Sequence, residues 1–256
     1  MKQWRIAFWS AGAYTALAVV VSLGLLNGLD VIVREWARPD DVWGVAQLQA
    51  DLVVEGLRPA IAALLLATFT LAYCAKRRSL RPAAFIGSVC VVTVVLTVAS
   101  KIVVHRLDPH AVIGKDGGSF PSGHIIGVVV CLGLVVLMVQ PRMGWPKWLI
   151  PVFGGALMGA SLLLQAAHWF TDIVGGALLA TVVLAAASGL SNWMNNRSRN
   201  DHESAASGRR DETLLTSVAE ESIYIARLNN AVPDMGVTDC YAPGRGKFVL
   251  RSCGGL

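Results

Sequence analysis

The chain has 256 residues, of which 54% are hydrophobic and 15% charged, against about 25% charged in an ordinary soluble domain. Its mean hydropathy is +0.55. The missing charge is concentrated in apolar runs of about 20 residues, the length that crosses about 30 Å of hydrocarbon. A formal charge of +5 does not signal nucleic-acid binding. The basic residues cluster in short loops between apolar runs, with Lys76, Arg77, Arg78 and Arg81 in one and Arg142 and Lys147 in another, as cytoplasmic loops do. The composition describes an all-α, polytopic membrane protein and excludes a soluble enzyme.

The five cysteines form no framework. Cys74, Cys90 and Cys131 lie in or at the end of apolar runs, Cys240 and Cys253 lie in the tail, and there is no Cys-x-x-Cys pair. Neither zinc nor a redox motif is implied. A Cys240–Cys253 bridge is not expected in a cytoplasmic tail.

Six spans are expected, at residues 6–26, 59–74, 83–104, 124–140, 148–167 and 172–190. The first follows Lys2 and Arg5 and reads as a retained helix, because no small-residue cleavage site follows it. Residues 42–57 read either as a helix in the membrane interface, with Trp36 and Trp43 as belt residues, or as a loop packed over helix ends. Gly154, Gly155, Gly159, Gly175 and Gly176 read as small residues for close helix packing. The six-helix domain is 1–195 and the tail 196–256. Within the tail, 196–212 is polar and reads as a linker, 213–226 has helical spacing, and 233–256 is rich in Gly and Pro.

Loop charge sets the orientation. The loop after the first span holds Asp30, Glu35, Asp40, Asp41, Asp51 and Glu55 against Arg34 and Arg38, so it is expected outside, with both termini cytoplasmic. Lys101, His124 and His168 then lie at one depth on the outer face. Ionisable groups at membrane depth default to a functional reading.

Pro121-Ser122-Gly123-His124 opens an apolar run. A helix N-terminus has unpaired N–H groups and a positive dipole end, so it suits an anion. Gly123 lets the backbone approach a ligand. Ser122 suits either a cap or a phosphate contact, and His124 suits proton transfer. His168 and Asp172 are four apart, which puts them on one helical face. A carboxylate on one imidazole nitrogen leaves the other as a nucleophile. Lys101 adds a point charge for phosphate. Taken singly, each has a plain alternative: a cap for Ser122 and Asp172, a snorkelling side chain for Lys101, an interfacial residue for His168.

Together these residues resemble the PAP2 (type 2 phosphatidic acid phosphatase) superfamily of membrane lipid phosphatases, over about residues 83–190 and more loosely over all six spans. That family carries Lys-x6-Arg-Pro, Pro-Ser-Gly-His and Ser-Arg-x5-His-x3-Asp. Here the first reads Lys101-Ile-Val-Val-His-Arg106-Leu-Asp108-Pro109, the second is complete as Pro121–His124, and the third reads Ser161-Leu162, then His168 and Asp172 at the family spacing. The resemblance implies a phosphohistidine at His168, orientation by Asp172, leaving-group protonation by His124, and phosphate binding by Lys101, Ser122 and Gly123. Asp108 and Leu162 stand where the family has phosphate-binding arginines, and a lost donor of this kind costs on the order of 10²–10³ in rate. Arg106 and Lys115 are the candidates to replace that charge.

The expected function is therefore an integral membrane phosphatase acting on a polyprenyl or glycerolipid phosphate or diphosphate, in a bacterial inner membrane, with its site facing outside. No cofactor and no metal are implied, since no carboxylate cluster suits magnesium or calcium. The alternatives are a phospho-headgroup transferase resembling sphingomyelin and inositol-phosphoceramide synthases, which keep a His-x3-Asp element without the third-motif arginine, and a degenerate relative that only binds a lipid phosphate. A reporter fused after Asn196 should read cytoplasmic. A readout from the other side would move the histidines to the inner face.

Overall fold

In hydrocarbon every backbone N–H and C=O needs a partner within the protein, and a helix supplies all of them locally. The computed structural model describes residues 2–110, 118–139 and 144–231. Among them the regular structure is helical, with no strand. Lys115, Arg142, Cys240, Cys253 and the 233–256 stretch lie outside the described residues.

The helices are α1 (Lys2–Ser22), α2 (Asn27–Ala37), α3 (Val45–Gly56), α4 (Pro59–Arg77), α5 (Arg81–Val104), α6 (Gly123–Val139), α7 (Leu149–Leu164) and α8 (Phe170–Ala231). Short 3₁₀ turns precede α3 and α7, at Pro39–Asp41 and Trp145–Trp148. Five helices are long and apolar enough to cross a membrane: α1, α4, α5, α7 with its leading turn, and Phe170–Met194 of α8. The remaining expected span, α6, is an apolar helix of 17 residues. The protein is thus an integral membrane helical bundle. Pro59 and Pro82 sit in the first turns of α4 and α5, where a missing N–H costs nothing.

α6 is the hub. Ile126, Val130 and Leu134 pack with Leu66 of α4 and with Ala180, Val183 and Leu184 of α8. Its other side places Ile125 and Val128 against Val54 of α3 and Met158 and Leu162 of α7. Outward-facing Leu64, Leu71, Val94, Val98, Val152 and Phe153 are exposed, an apolar girdle suited to acyl chains.

Two expectations change, at residues 27–37 and 196–212, and the open alternative at 42–57 resolves to a helix. α2 forms where only a loop was expected. Residues 42–57 contain a helix, and Ala50 and Val54 are buried, so that helix packs over the bundle. The chain divides into two compact units, Met1–Asn196 and Arg197–Leu256. The described residues of the second unit are helical, so 196–212, whose polarity suggested a linker or disordered segment, is helical. No proline occurs between Pro151 and Pro233, and Ala, Glu and Arg are good helix formers.

The glycine pair of α8 is a seat. A Cβ on Gly175 would lie 2.5 Å from Phe120 Cε2, and one on Gly176 would lie 2.9 Å from the Ser122 carbonyl oxygen. Phe120 is completely buried and stacks on Tyr14 at 5.9 Å, so it has nowhere to retreat. Gly175→Val should therefore destabilise the bundle by about 1–3 kcal/mol, the usual range for overpacking, read as a lowered thermal midpoint in detergent.

Candidate active site

α8 begins without a side-chain cap of its own. Its N-cap position is Trp169, which carries no oxygen. Two carboxylates supply what is missing. Asp172, in the first turn, accepts the Trp169 N–H on Oδ2 at 3.1 Å, one half of a capping box. Asp30 of α2 accepts the Thr171 N–H on Oδ1 at 2.9 Å and the Thr171 hydroxyl on Oδ2 at 2.7 Å. Both side chains are fully buried.

Buried carboxylates need a cation, and Arg106 serves both. Its Nη1 donates to Asp172 Oδ1 at 2.9 Å and to Thr171 Oγ1 at 2.5 Å, and its Nη2 donates to Asp30 Oδ2 at 2.6 Å. The guanidinium lies over the Trp169 ring at 5.4 Å, and the Trp169 indole N–H donates to the Leu107 carbonyl at 2.9 Å. The Arg106 carbonyl in turn accepts the N–H groups of Gly118 and Ser119 at 2.6 and 2.9 Å. Arg106 thus ties the end of α5 to α2, to α8 and to the segment entering α6.

That segment is held just as closely. Ser119 Oγ donates to Asp172 Oδ2 at 2.7 Å. The Phe120–Pro121 peptide is cis. The Ser122 N–H donates to the Asp172 carbonyl at 3.0 Å. Ser122 Oγ is buried with no hydrogen-bond partner, so the hydroxyl does not cap α6 although Ser122 sits at its N-cap. Gly123 and His124 follow as the first two helical residues.

His124 and His168 face each other with ring centroids 5.9 Å apart and planes at 67°. His168 Nδ1 lies 3.5 Å from Asp172 Oδ2. That is longer than an N–H···O bond of about 2.7–3.2 Å, and such pairs commonly tighten when substrate binds. The Lys101 ammonium donates to the Gly118 carbonyl. The structure therefore brings His124, His168, Asp172, Ser122, Gly123, Lys101 and Arg106 to one end of the bundle.

The two divergent positions behave differently. Asp108 is exposed, and its charge reaches Lys101. Leu162 is 1% exposed, packed with Val54, Ile125, Val128 and Met158, so this position belongs to the apolar core. Arg106 is engaged by two carboxylates rather than left free. Asp30 was missed from sequence. The available signal was a lone carboxylate between Leu29 and the apolar Val31-Ile32-Val33, but it read as one of several acidic loop residues. Among the described residues no set of three His, Cys, Asp or Glu side chains is placed to hold a metal ion.

Comparison with known proteins bears on the family and the fold. Residues 82–197 match the model of the PAP2 superfamily. The fold is similar to a solved structure described as the first transmembrane PAP2-type phosphatidylglycerolphosphate phosphatase from Bacillus subtilis, with 16% identity, a TM-score of 0.58, and 73% of this chain and 96% of that one covered. No curated protein matches the sequence.

Arg106→Gln would leave Asp30 and Asp172 buried without a cation. It should destabilise the protein by about 3–5 kcal/mol, the usual cost of breaking a buried pair from one side. Asp30→Asn keeps an acceptor for the Thr171 N–H and leaves Arg106 paired with Asp172, so it should cost clearly less. Thermal midpoints of the purified variants in one detergent check the order.

Proposed function

Because residues 82–197 form a PAP2 superfamily segment, we propose that the protein hydrolyses a lipid phosphate through a phosphohistidine at His168. The observation that carries this reading is the facing pair of imidazoles, 5.9 Å apart, with a fully buried carboxylate behind one of them. A site that only bound phosphate would need no such pairing of nucleophile and acid.

The reaction has two steps. Asp172 sits 3.5 Å from Nδ1 of His168, and once that contact tightens with substrate bound it fixes the tautomer and leaves Nε2 to attack phosphorus in line. The bond to the lipid oxygen breaks as His124 gives that oxygen its proton. Water then attacks the phosphohistidine while His124 takes up the water's proton. Inorganic phosphate leaves and His168 is restored. The phosphate oxygens would be held by the unpartnered hydroxyl of Ser122, by the first N–H groups of α6 at Gly123 and His124, and by Lys101, which has donors left after its bond to Gly118. These preorganised donors stabilise the charge that develops on the transferring group.

The substrate is a glycerolipid or polyprenyl phosphate or diphosphate. A glycerolipid finds support in the solved neighbour, a phosphatidylglycerolphosphate phosphatase. The acidic first loop supports a site on the outer face with the 196–256 tail in the cytoplasm, and the compact helical body is in keeping with a bacterial inner membrane. A transferase would share the first step and differ in its acceptor. The replacement of both family arginines, at Asp108 and Leu162, keeps that second reading in play.

Phosphate release from a panel of lipid phosphates in detergent tests the proposal. His168→Ala should reduce release to background, and His124→Ala should lower it by about 10²–10⁴, the range for a general acid–base. Undiminished release by His168→Ala would remove the nucleophile. Absent release, with the phospho-headgroup appearing on an added alcohol, would assign a transferase.

A further inference from the structure

The cations at the site end of the bundle are mostly committed. Arg106 is shared by Asp30 and Asp172. Lys101 donates to the Gly118 carbonyl. Arg38 donates to the Gln165 carbonyl at 2.9 Å and to the Asp41 carbonyl at 2.8 Å. Arg58 is different. It precedes the first turn of α4, and its partner is Glu55, one turn away, with both side chains half exposed. Ion pairs of that kind hold weakly in water.

Arg58 also lies next to the chemistry. The following residue, Pro59, packs on α6 at Gly127, where an added Cβ would meet Pro59 Cβ at 3.2 Å and Cα at 3.4 Å. Gly127 is three residues beyond His124 on the same helix, hence on the His124 face.

A groove of about 520 Å³ opens immediately below, between α4 and α6. Leu57, Leu65 and Phe69 line one wall, and Val128, Leu132 and Val135 the other. Val128, Leu132 and Val135 follow His124 at helical spacing, so the groove starts one turn below the imidazole and continues away from it along the helix. Leu57, at its upper end, adjoins Arg58 in sequence. A cation that adjoins the uppermost lining residue of an apolar groove, and precedes the proline packed one turn below the candidate acid, matches a phosphate head joined to a hydrocarbon chain.

We infer that Arg58 binds the phosphate of a lipid whose apolar chain occupies the α4–α6 groove, so that it provides the guanidinium absent at positions 108 and 162. The assignment rests on the reading of His124 and His168 as a lipid-phosphate site and names the ligand path of that site. Arg58 would exchange Glu55 for the arriving phosphate, a fork that fits two oxygens at once.

Equilibrium binding separates this from the catalytic reading. The His168→Ala protein, full length in detergent, is titrated with a monoacylglycerol phosphate and with inorganic phosphate. Adding Arg58→Ala should weaken the lipid by about 10–100-fold, the loss of one charged hydrogen-bonding partner, and Arg58→Lys should fall between. Glu55→Ala should bind no more weakly than its parent. Arg81→Ala, at the far end of the bundle, should leave binding unchanged. Thr68→Trp, within the groove, should weaken the lipid and spare inorganic phosphate. Unchanged affinity in Arg58→Ala would overturn the inference, as would an equal loss in Glu55→Ala, which would mark a structural ion pair. Unchanged lipid affinity in Thr68→Trp, or no binding by the parent, would also overturn it. Binding through Arg58 without phosphate release by the wild type would sink the phosphatase and keep this site. Release that depends on His168 but not on Arg58 would do the reverse.

Discussion

The site end of this bundle depends on how one buried carboxylate is partnered. Asp172 has no solvent exposure, and an unpaired carboxylate in such a place would cost several kcal/mol even after relaxation. It is held by Arg106, by the Ser119 hydroxyl and by the Trp169 N–H. Each partner comes from a different stretch of chain. Satisfying this group therefore fixes the end of α5, the entry to α6 and the start of α8 relative to one another. Asp30 extends the constraint to α2 by sharing the same guanidinium and closing the N-terminus of α8.

The apolar packing serves the same placement. Gly175 and Gly176 lie where Phe120 and the Ser122 carbonyl press against α8. The Ser122 N–H then meets the Asp172 carbonyl. A side chain at either glycine would push the 119–122 segment outward and carry His124 with it. Small residues in membrane helices are usually explained by helix–helix approach alone. Here the approach is between a helix and the turn that opens the neighbouring helix. The histidine separation is thus set by backbone seating as well as by the polar network.

Much of this was legible in sequence, and the parts that were not share a cause. The spans were visible because about 20 apolar residues in a row have few other uses, and α6, at 17 residues, still emerged from its polar Pro-Ser-Gly-His start. The convergence of Lys101, His124, His168 and Asp172 was visible from loop charge and span parity. Asp30 and α2 were not. A charged residue in an acidic loop looks the same in sequence whether it faces water or an arginine across the fold. Position 162 carried a similar ambiguity. Counting from His168 identifies it with a family arginine, whereas the packing of Leu162 with Met158 and Val128 depends on which face of α7 the bundle buries. The 196–212 segment misled for another reason, since polarity argues against a core but not against a helix.

The position of Arg106 decides what this site lacks. Sequence proximity made it a natural substitute for a guanidinium at 108, two residues on. Its bonds argue otherwise. To reach a phosphate it would have to release Asp30 or Asp172, and either carboxylate left alone in a dry environment would lose more than a single phosphate contact returns. On the proposed reading Arg106 is therefore a positioning residue, acting on the phosphoryl group only through Asp172 and His168. On the same reading, transition-state charge is then met by Lys101, by the N-terminus of α6, and by a cation outside the three motifs. The search for that cation leads to side chains whose present partners are cheap to leave, and a half-exposed surface pair at the mouth of an apolar groove meets that condition where a doubly bonded buried arginine does not.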